Sequence, residues 1–232
     1  MKHSRYVKML PVTITIPVVP LMSISLGIAL LLWVIWPILA FKYVYIAPSD
    51  HLVTPISEDF VAKSYASEQK IPIDLKKVNS WMPHSSKKTD SPIDTYTISI
   101  PKVRITGAIV KIGSNDLTKN LIHYGGTGLP GKYGNAVIFG HSVLPSFYNP
   151  KDYLTIFSLI PTLKIGDDIF VRFDGIDYRY KVMDKRVVTP DDVSGLEQRY
   201  DNSYLTLVTC VPPGTYWERL WLTAKRVQFS DN

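Results

Sequence analysis

Residues 204–228 read YLTLVTCVPPGTYWERLWLTAKRVQ, two apolar runs rich in Thr, Val, Leu and Trp on either side of Pro212, Pro213 and Gly214. β-Branched and aromatic side chains favour strands, and the Pro-Pro-Gly interruption can continue neither a strand nor a helix. The segment therefore predicts two strands, Tyr204–Thr209 and Glu218–Gln228, paired antiparallel across the loop between them. The same texture recurs upstream. Thr95–Ile100 (TYTISI) alternates, Ala108–Ile112 is apolar, and Asn135–Gly140 (NAVIFG) is a short apolar run bounded by glycine. Asp168–Phe173 and Ile176–Val188 flank an Asp174–Gly175 turn signal. Short strands at this spacing predict an all-β barrel or sandwich. One short helix is expected over Asp152–Leu159, where Asp152 can cap the first turn.

The chain has 232 residues, 46% hydrophobic and 20% charged, with a single cysteine. That excludes a disulfide scaffold and a wholly disordered chain, and leaves room for one ordinary domain with an appendage. The net charge of +6 is partly a tail effect, since Lys2, Arg5 and Lys8 carry half of it and residues 95–232 spread only +3 over a whole domain. No basic stripe interleaved with aromatics is present, so nucleic acid is not an expected partner.

From Leu10 to Phe41 no side chain is charged, and Leu21–Ala40 (LMSISLGIALLLWVIWPILA) is long enough to cross about 30 Å of hydrocarbon as a helix. Trp33, Trp36, Tyr43 and Tyr45 would sit at the far interface, and the basic residues before the span place the amino terminus on the cytoplasmic side. A cleaved signal peptide is the competing reading, but the apolar region is long for one. The expected organisation is a cytoplasmic tail and approach to the membrane over 1–20, a transmembrane anchor over 21–45, an extracellular stalk over 46–94 with weak helical periodicity near Phe60–Tyr65, and a folded outward-facing domain over 95–232.

An unpaired cysteine in such a domain is buried and inert, joined to another chain, or kept free for chemistry. Cys210 closes an apolar strand, and a strand end opening into a loop sets a side chain at the rim of a sheet. A thiol attacks as thiolate, which needs a neighbouring cation or base. His123, in the glycine-rich LIHYGGTG, and His141, which ends the run NAVIFG beside Gly140, are the two contenders. Antiparallel pairing brings Arg219 near Cys210, whereas Arg226 lies about 23 Å further along the strand and cannot reach the same place.

Taken together, TLVTC (Thr206–Cys210), ERLWLTA with Arg219 nine positions after the thiol, and Gly140–His141 closing a strand upstream resemble a sortase, a membrane-anchored cysteine transpeptidase of the bacterial envelope. The similarity extends through SIPKVRITGAIV (Ser99–Val110), HYGGTGLPGKYGNAVIFGH (His123–His141) and IGDDIFV (Ile165–Val171). The resemblance implies a closed eight-stranded β-barrel with one or two short helices and a groove ending at Cys210. It implies Cys210 as nucleophile, His141 as general acid and base, Arg219 as the group that orients substrate and stabilises the oxyanion, and Thr209 and Val211 as substrate contacts. It implies no cofactor and no metal. The implied substrates are secreted proteins with a carboxy-terminal LPXTG-type sorting signal, cut between Thr and Gly through a thioester. The implied acceptor is an amine of a peptidoglycan precursor or a pilin lysine.

Two features depart from the pattern. The Asp, Pro, aromatic triplet that plugs some pilus-building members does not occur in residues 46–94, which argues against the polymerising branch. Asp191, Asp192, Glu197 and Asp201 sit in the loop before Tyr204, where certain sortases use calcium, although acids in exposed loops are usually only solvated. Two other readings remain at this stage: a cysteine endopeptidase that releases product to water, and an inactive anchored barrel that binds peptides around a buried thiol.

Overall fold

The computed structural model describes residues 18–44, 76–78 and 89–228, and these form two separate compact units. The first ends at Leu39 and holds most of helix α1 (Val18–Val44), which contains the only stretch among the described residues long and apolar enough to cross a membrane. Its side chains from Val19 to Trp36 are exposed, and the polar groups within it are satisfied internally: Ser23 Oγ donates to Val19 O at 3.1 Å and Ser25 Oγ to Met22 O at 2.9 Å. The short helix expected near Phe60–Tyr65 lies outside the described residues.

The second unit is a closed barrel of eight strands: β1 (Thr95–Ile100), β2 (Ile105–Ile112), β3 (Leu121–His123), β4 (Gly134–Phe139), β5 (Asp168–Phe173), β6 (Ile176–Val188), β7 (Ser203–Val211) and β8 (Glu218–Val227). Around the barrel they run β1-β2-β3-β4-β7-β8-β6-β5, with β5 closing onto β1. The β2–β3 and β4–β7 pairs are parallel and the others antiparallel. Closure leaves no unpaired edge, and period-two alternation sends one side chain in two to the interior. Ile98, Val110, Ile138, Val171, Leu207 and Leu222 are among those that fill it.

A second, smaller core lies on the outer face of β4, β7 and β8. It holds Val137, Phe139, Val208, Cys210 and Trp221, together with Leu117 and Val78. Val78 belongs to the expected stalk, yet it is only 2% exposed. Its N–H donates to Asn115 O at 3.2 Å, and Leu117 N–H donates to Lys76 O at 3.0 Å, so residues 76–78 lie against the barrel as an added strand fragment.

The helix expected over Asp152–Leu159 is instead a run of tight turns. Asp152 does cap, its Oδ1 accepting from Leu154 N–H at 3.0 Å, but the bonds that follow join residues three apart and not four: Thr155 N–H to Asp152 O, Ser158 N–H to Thr155 O and Ile160 N–H to Phe157 O. The amide of Phe157, which an α-helix would use internally, donates to His141 O at 2.9 Å. A tertiary bond has displaced a local one.

That contact requires Gly140. A Cβ there would lie 2.4 Å from Phe157 Cδ2 and 2.7 Å from Leu121 Cδ2, so the close approach expected beside His141 is made by these two side chains. Gly140→Ala should cost about 1–3 kcal/mol through overpacking. In urea unfolding the midpoint should fall with an unchanged slope, and Phe157→Leu should recover part of the loss. An unmoved midpoint would show that the site tolerates the methyl.

Candidate active site

β4, β7 and β8 are neighbours in the barrel, and their registers decide which side chains meet. The parallel β4–β7 pair ends with Phe139 opposite Val208, and Gly140 N–H continues the ladder onto Val208 O at 3.1 Å. β4 ends at Phe139, and beyond it Ser142 Oγ donates to Cys210 O at 2.7 Å, which brings the segment carrying His141 alongside Cys210. On the other flank Cys210 and Arg219 are direct cross-strand partners. Cys210 thus lies between Arg219 on β8 and the segment after β4 that carries His141. Two residues back along the same strands, Phe139, Val208 and Trp221 pack together in the second core.

Cys210 is 5% exposed, and burial pushes its thiol up to about 11 against the pull of the Arg219 charge. Arg219 is itself buried, its Nη1 donating to Tyr216 O at 3.1 Å and Glu218 O at 3.2 Å, so the β7–β8 loop holds the guanidinium by its carbonyls. His141 is half-buried, with Nε2 shielded from solvent. Its carbonyl accepts from Phe157, the carbonyl before it accepts Thr209 Oγ1 at 2.9 Å, and the hydroxyl after it, Ser142 Oγ, donates to Cys210 O at 2.7 Å.

Three expectations are corrected here. Cys210 does stand near the end of its strand, but β7 continues to Val211 and the second core covers the thiol, so it is not an open rim residue. Thr209 and Val211 do not reach the outer face. They alternate with Cys210, both are 0% exposed, Val211 lies in the barrel core, and the Thr209 hydroxyl donates to Gly140 O.

His123 also points inward. It is fully buried, with Tyr96 Oη 2.8 Å from Nδ1 and Thr127 Oγ1 3.2 Å from Nε2. The Thr127 proton is committed to Tyr124 O at 2.7 Å, so Nε2 carries the ring hydrogen and Nδ1 accepts from Tyr96. Burial pushes this imidazole down to about 4. It is a neutral core histidine, turned away from the outer face that holds Cys210.

The acids of the β6–β7 loop are dispersed. Asp192 Oδ1 accepts from Ser194 N–H at 2.7 Å, and Asp201 Oδ2 accepts from Tyr204 Oη at 2.8 Å, a bond that holds its carboxyl below the usual range. Among the described residues no group of three or more His, Cys, Asp or Glu is arranged to hold a metal ion. The loop is fixed to the outer face by other means. Gln198 Oε1 accepts from Asn135 N–H at 3.1 Å while its Nε2 donates to Asn135 O at 3.1 Å, and Gly195 lies so close to Trp221 that a Cβ would sit 2.0 Å from its ring. Sequence reasoning did not find Gln198, Ser142 or Val78, whose roles depend on contacts between distant segments.

Residues 98–227 match the family model for the sortase domain. The chain is 27% identical over 116 residues to Sortase D of Bacillus subtilis (strain 168), a match covering 50% of this chain and 53% of that protein, so the chain spans about half the length of the curated relative it matches. Among solved structures it is similar to a Clostridium perfringens Sortase D5 transpeptidase, at 26% identity over 61% of this chain and 83% of that one, with a TM-score of 0.50. It is also similar to a lid mutant of sortase A from Corynebacterium diphtheriae, at 29% identity over 62% and 75% of the two chains, with a TM-score of 0.52. The pilus-related sortase C of Group B Streptococcus aligns at 30% identity over 60% and 70%, with a TM-score of 0.52.

Two pH dependences follow from this geometry. A raised thiol pKa keeps Cys210 protonated through the neutral range, so its alkylation rate should climb about tenfold per pH unit from pH 7 through pH 10, and Arg219→Ala should slow it at each of these pH values. A plateau between pH 8 and 9 would contradict the burial argument. For His123 the folded pKa lies below the unfolded one, so its contribution is present above pH 6.5 and is lost as pH falls toward 4. The loss is on the order of 3 kcal/mol, and His123→Gln should flatten the fall of the urea midpoint over that window.

Proposed function

As this chain belongs to the sortase family, we propose that it is a cysteine transpeptidase that joins secreted proteins to an amine of the cell envelope. The observation that carries the reading is the setting of the only cysteine in the sequence: Cys210 is the cross-strand partner of Arg219, and its carbonyl accepts from Ser142, the residue after His141.

The chemistry follows from what each group can do. Cys210 Sγ attacks the carbonyl carbon of the Thr–Gly bond in an LPXTG-type signal while His141 takes the thiol proton. Arg219 donates to the oxygen that becomes negative, a role favoured by its burial, since a charge-assisted donor is worth most where water is excluded. The C–N bond then breaks, His141 returns the proton to the departing amine, and a thioester remains on Cys210. An acceptor amine attacks that thioester and gives its proton to His141, and the thiol is restored. A peptidoglycan precursor amine and a pilin lysine both have the required nucleophile.

The resting state needs a neutral thiol, and burial supplies it. At about 11 the thiolate fraction at pH 7 is about one in ten thousand, so proton removal must accompany attack. The orientation that fits is a cytoplasmic amino terminus bearing Lys2, Arg5 and Lys8, with α1 as anchor and the barrel outside. One observation favours a different reading, an inert peptide-binding barrel: the same burial of Cys210.

Incubating the full chain with LPXTG-type peptides and an amine separates the readings. Wild type should form a covalent acyl adduct and an amide product. Cys210→Ala should form no adduct, and His141→Ala and Arg219→Ala should turn over at least about a hundredfold more slowly, a loss of about 3 kcal/mol in transition-state stabilisation for the arginine. Hydrolysed peptide alone would support an endopeptidase. Absence of any adduct would support the inert barrel.

A further inference from the structure

We propose that Ser142 is a positioning residue for the reaction, a side-chain clamp that holds His141 in register with Cys210; this rests on the reading of those two residues as base and nucleophile. The argument starts from the ladder. β4 ends at Phe139, and the last backbone bond from its side to β7 is Gly140 N–H to Val208 O. If the parallel register ran one rung further, Cys210 O would accept from the backbone N–H of residue 142. The chain has left the sheet by then, and the bond is made by the Ser142 hydroxyl instead, at 2.7 Å. The rung is thus completed by a side chain where the backbone no longer serves.

The consequence falls on His141. Its main chain is held at three points: Gly140 O by Thr209 Oγ1, its own carbonyl by Phe157 N–H, and the residue after it by the bond from Ser142 to Cys210. The first two attach it to the inner side of β7 and to the turn over Asp152–Leu159. The third runs to the residue that bears the sulfur. The bond also places a donor on the Cys210 carbonyl, reducing the negative potential that this oxygen would present to a nearby thiolate. A proton transfer between imidazole and thiol is sensitive to displacements of about 1 Å. The hydroxyl is turned toward the main chain, so its removal should affect turnover and leave peptide affinity unchanged.

The test uses the full chain with Ser142→Ala and Ser142→Thr, all rates normalised to the folded fraction from urea unfolding. Ser142→Ala should lower kcat for amide formation by about 10- to 100-fold with KM within about twofold. Ser142→Thr, which keeps the donor, should return to within about threefold of wild type. In parallel, alkylation of Cys210 at pH 8, which needs no substrate, should slow at least about threefold in Ser142→Ala and recover in Ser142→Thr. A kcat in Ser142→Ala within twofold of wild type, a rise in KM alone, or a Thr variant no better than Ala would overturn the clamp. If wild type yields no adduct with any peptide, the reading of the site has failed and alkylation still decides the clamp: slowing with rescue upholds it, and an unchanged rate overturns it.

Discussion

Two strand registers, β4 with β7 and β7 with β8, govern the chemistry of this protein. The parallel register of β4 with β7 and the antiparallel register of β7 with β8 are fixed by the hydrophobic alternation of three strands, and neither can slip by a residue without turning the barrel core outward. Slippage by one would also move Cys210 to the inner face. The pressure that keeps Leu205, Leu207 and Val211 inside is therefore what keeps the thiol on the outer face, between the positions of His141 and Arg219.

Burial of that thiol sets two demands against each other. A desolvated sulfur prefers its proton, and a nucleophile must lose it. The Arg219 charge favours the thiolate, but desolvation is the larger influence and the thiol remains neutral at rest. A buried guanidinium also needs partners, and the carbonyls of Tyr216 and Glu218 are two of them. The loop after the Pro-Pro-Gly interruption thus ends the strand and also holds the charge that lowers the thiol's pKa.

The outer face is a small core of its own. Val78, Leu117 and Leu196 reach it from segments far apart in the chain and pack around Phe139, Val208 and Trp221. Val78 shows that the segment preceding the barrel contributes to this packing, although its surroundings in the sequence read as a polar stalk. A single valine among lysines carries no periodic signal, and only the sheet face that receives it gives it meaning.

How much was legible depended on whether a signal was local. β1, β5 and β6 have the bounds expected from alternation and from the Asp174–Gly175 turn, and the apolar helix was evident from thirty-two residues without a charge. β3, three residues long, was too short to show a period, and the helix expected over Asp152–Leu159 lost to a bond that Phe157 makes with His141. Thr209 and Val211, substrate contacts by the resemblance alone, flank the cysteine, and flanking residues on a strand point the opposite way. By itself the sequence determined the strand pattern, the apolar helix and the pairing of Cys210 with Arg219, because these follow from local periodicity and one hairpin. Only the tertiary structure decided that His123 lies in the barrel interior, that the thiol is buried, and that Ser142 bonds to Cys210, because each depends on contacts between segments far apart in the chain.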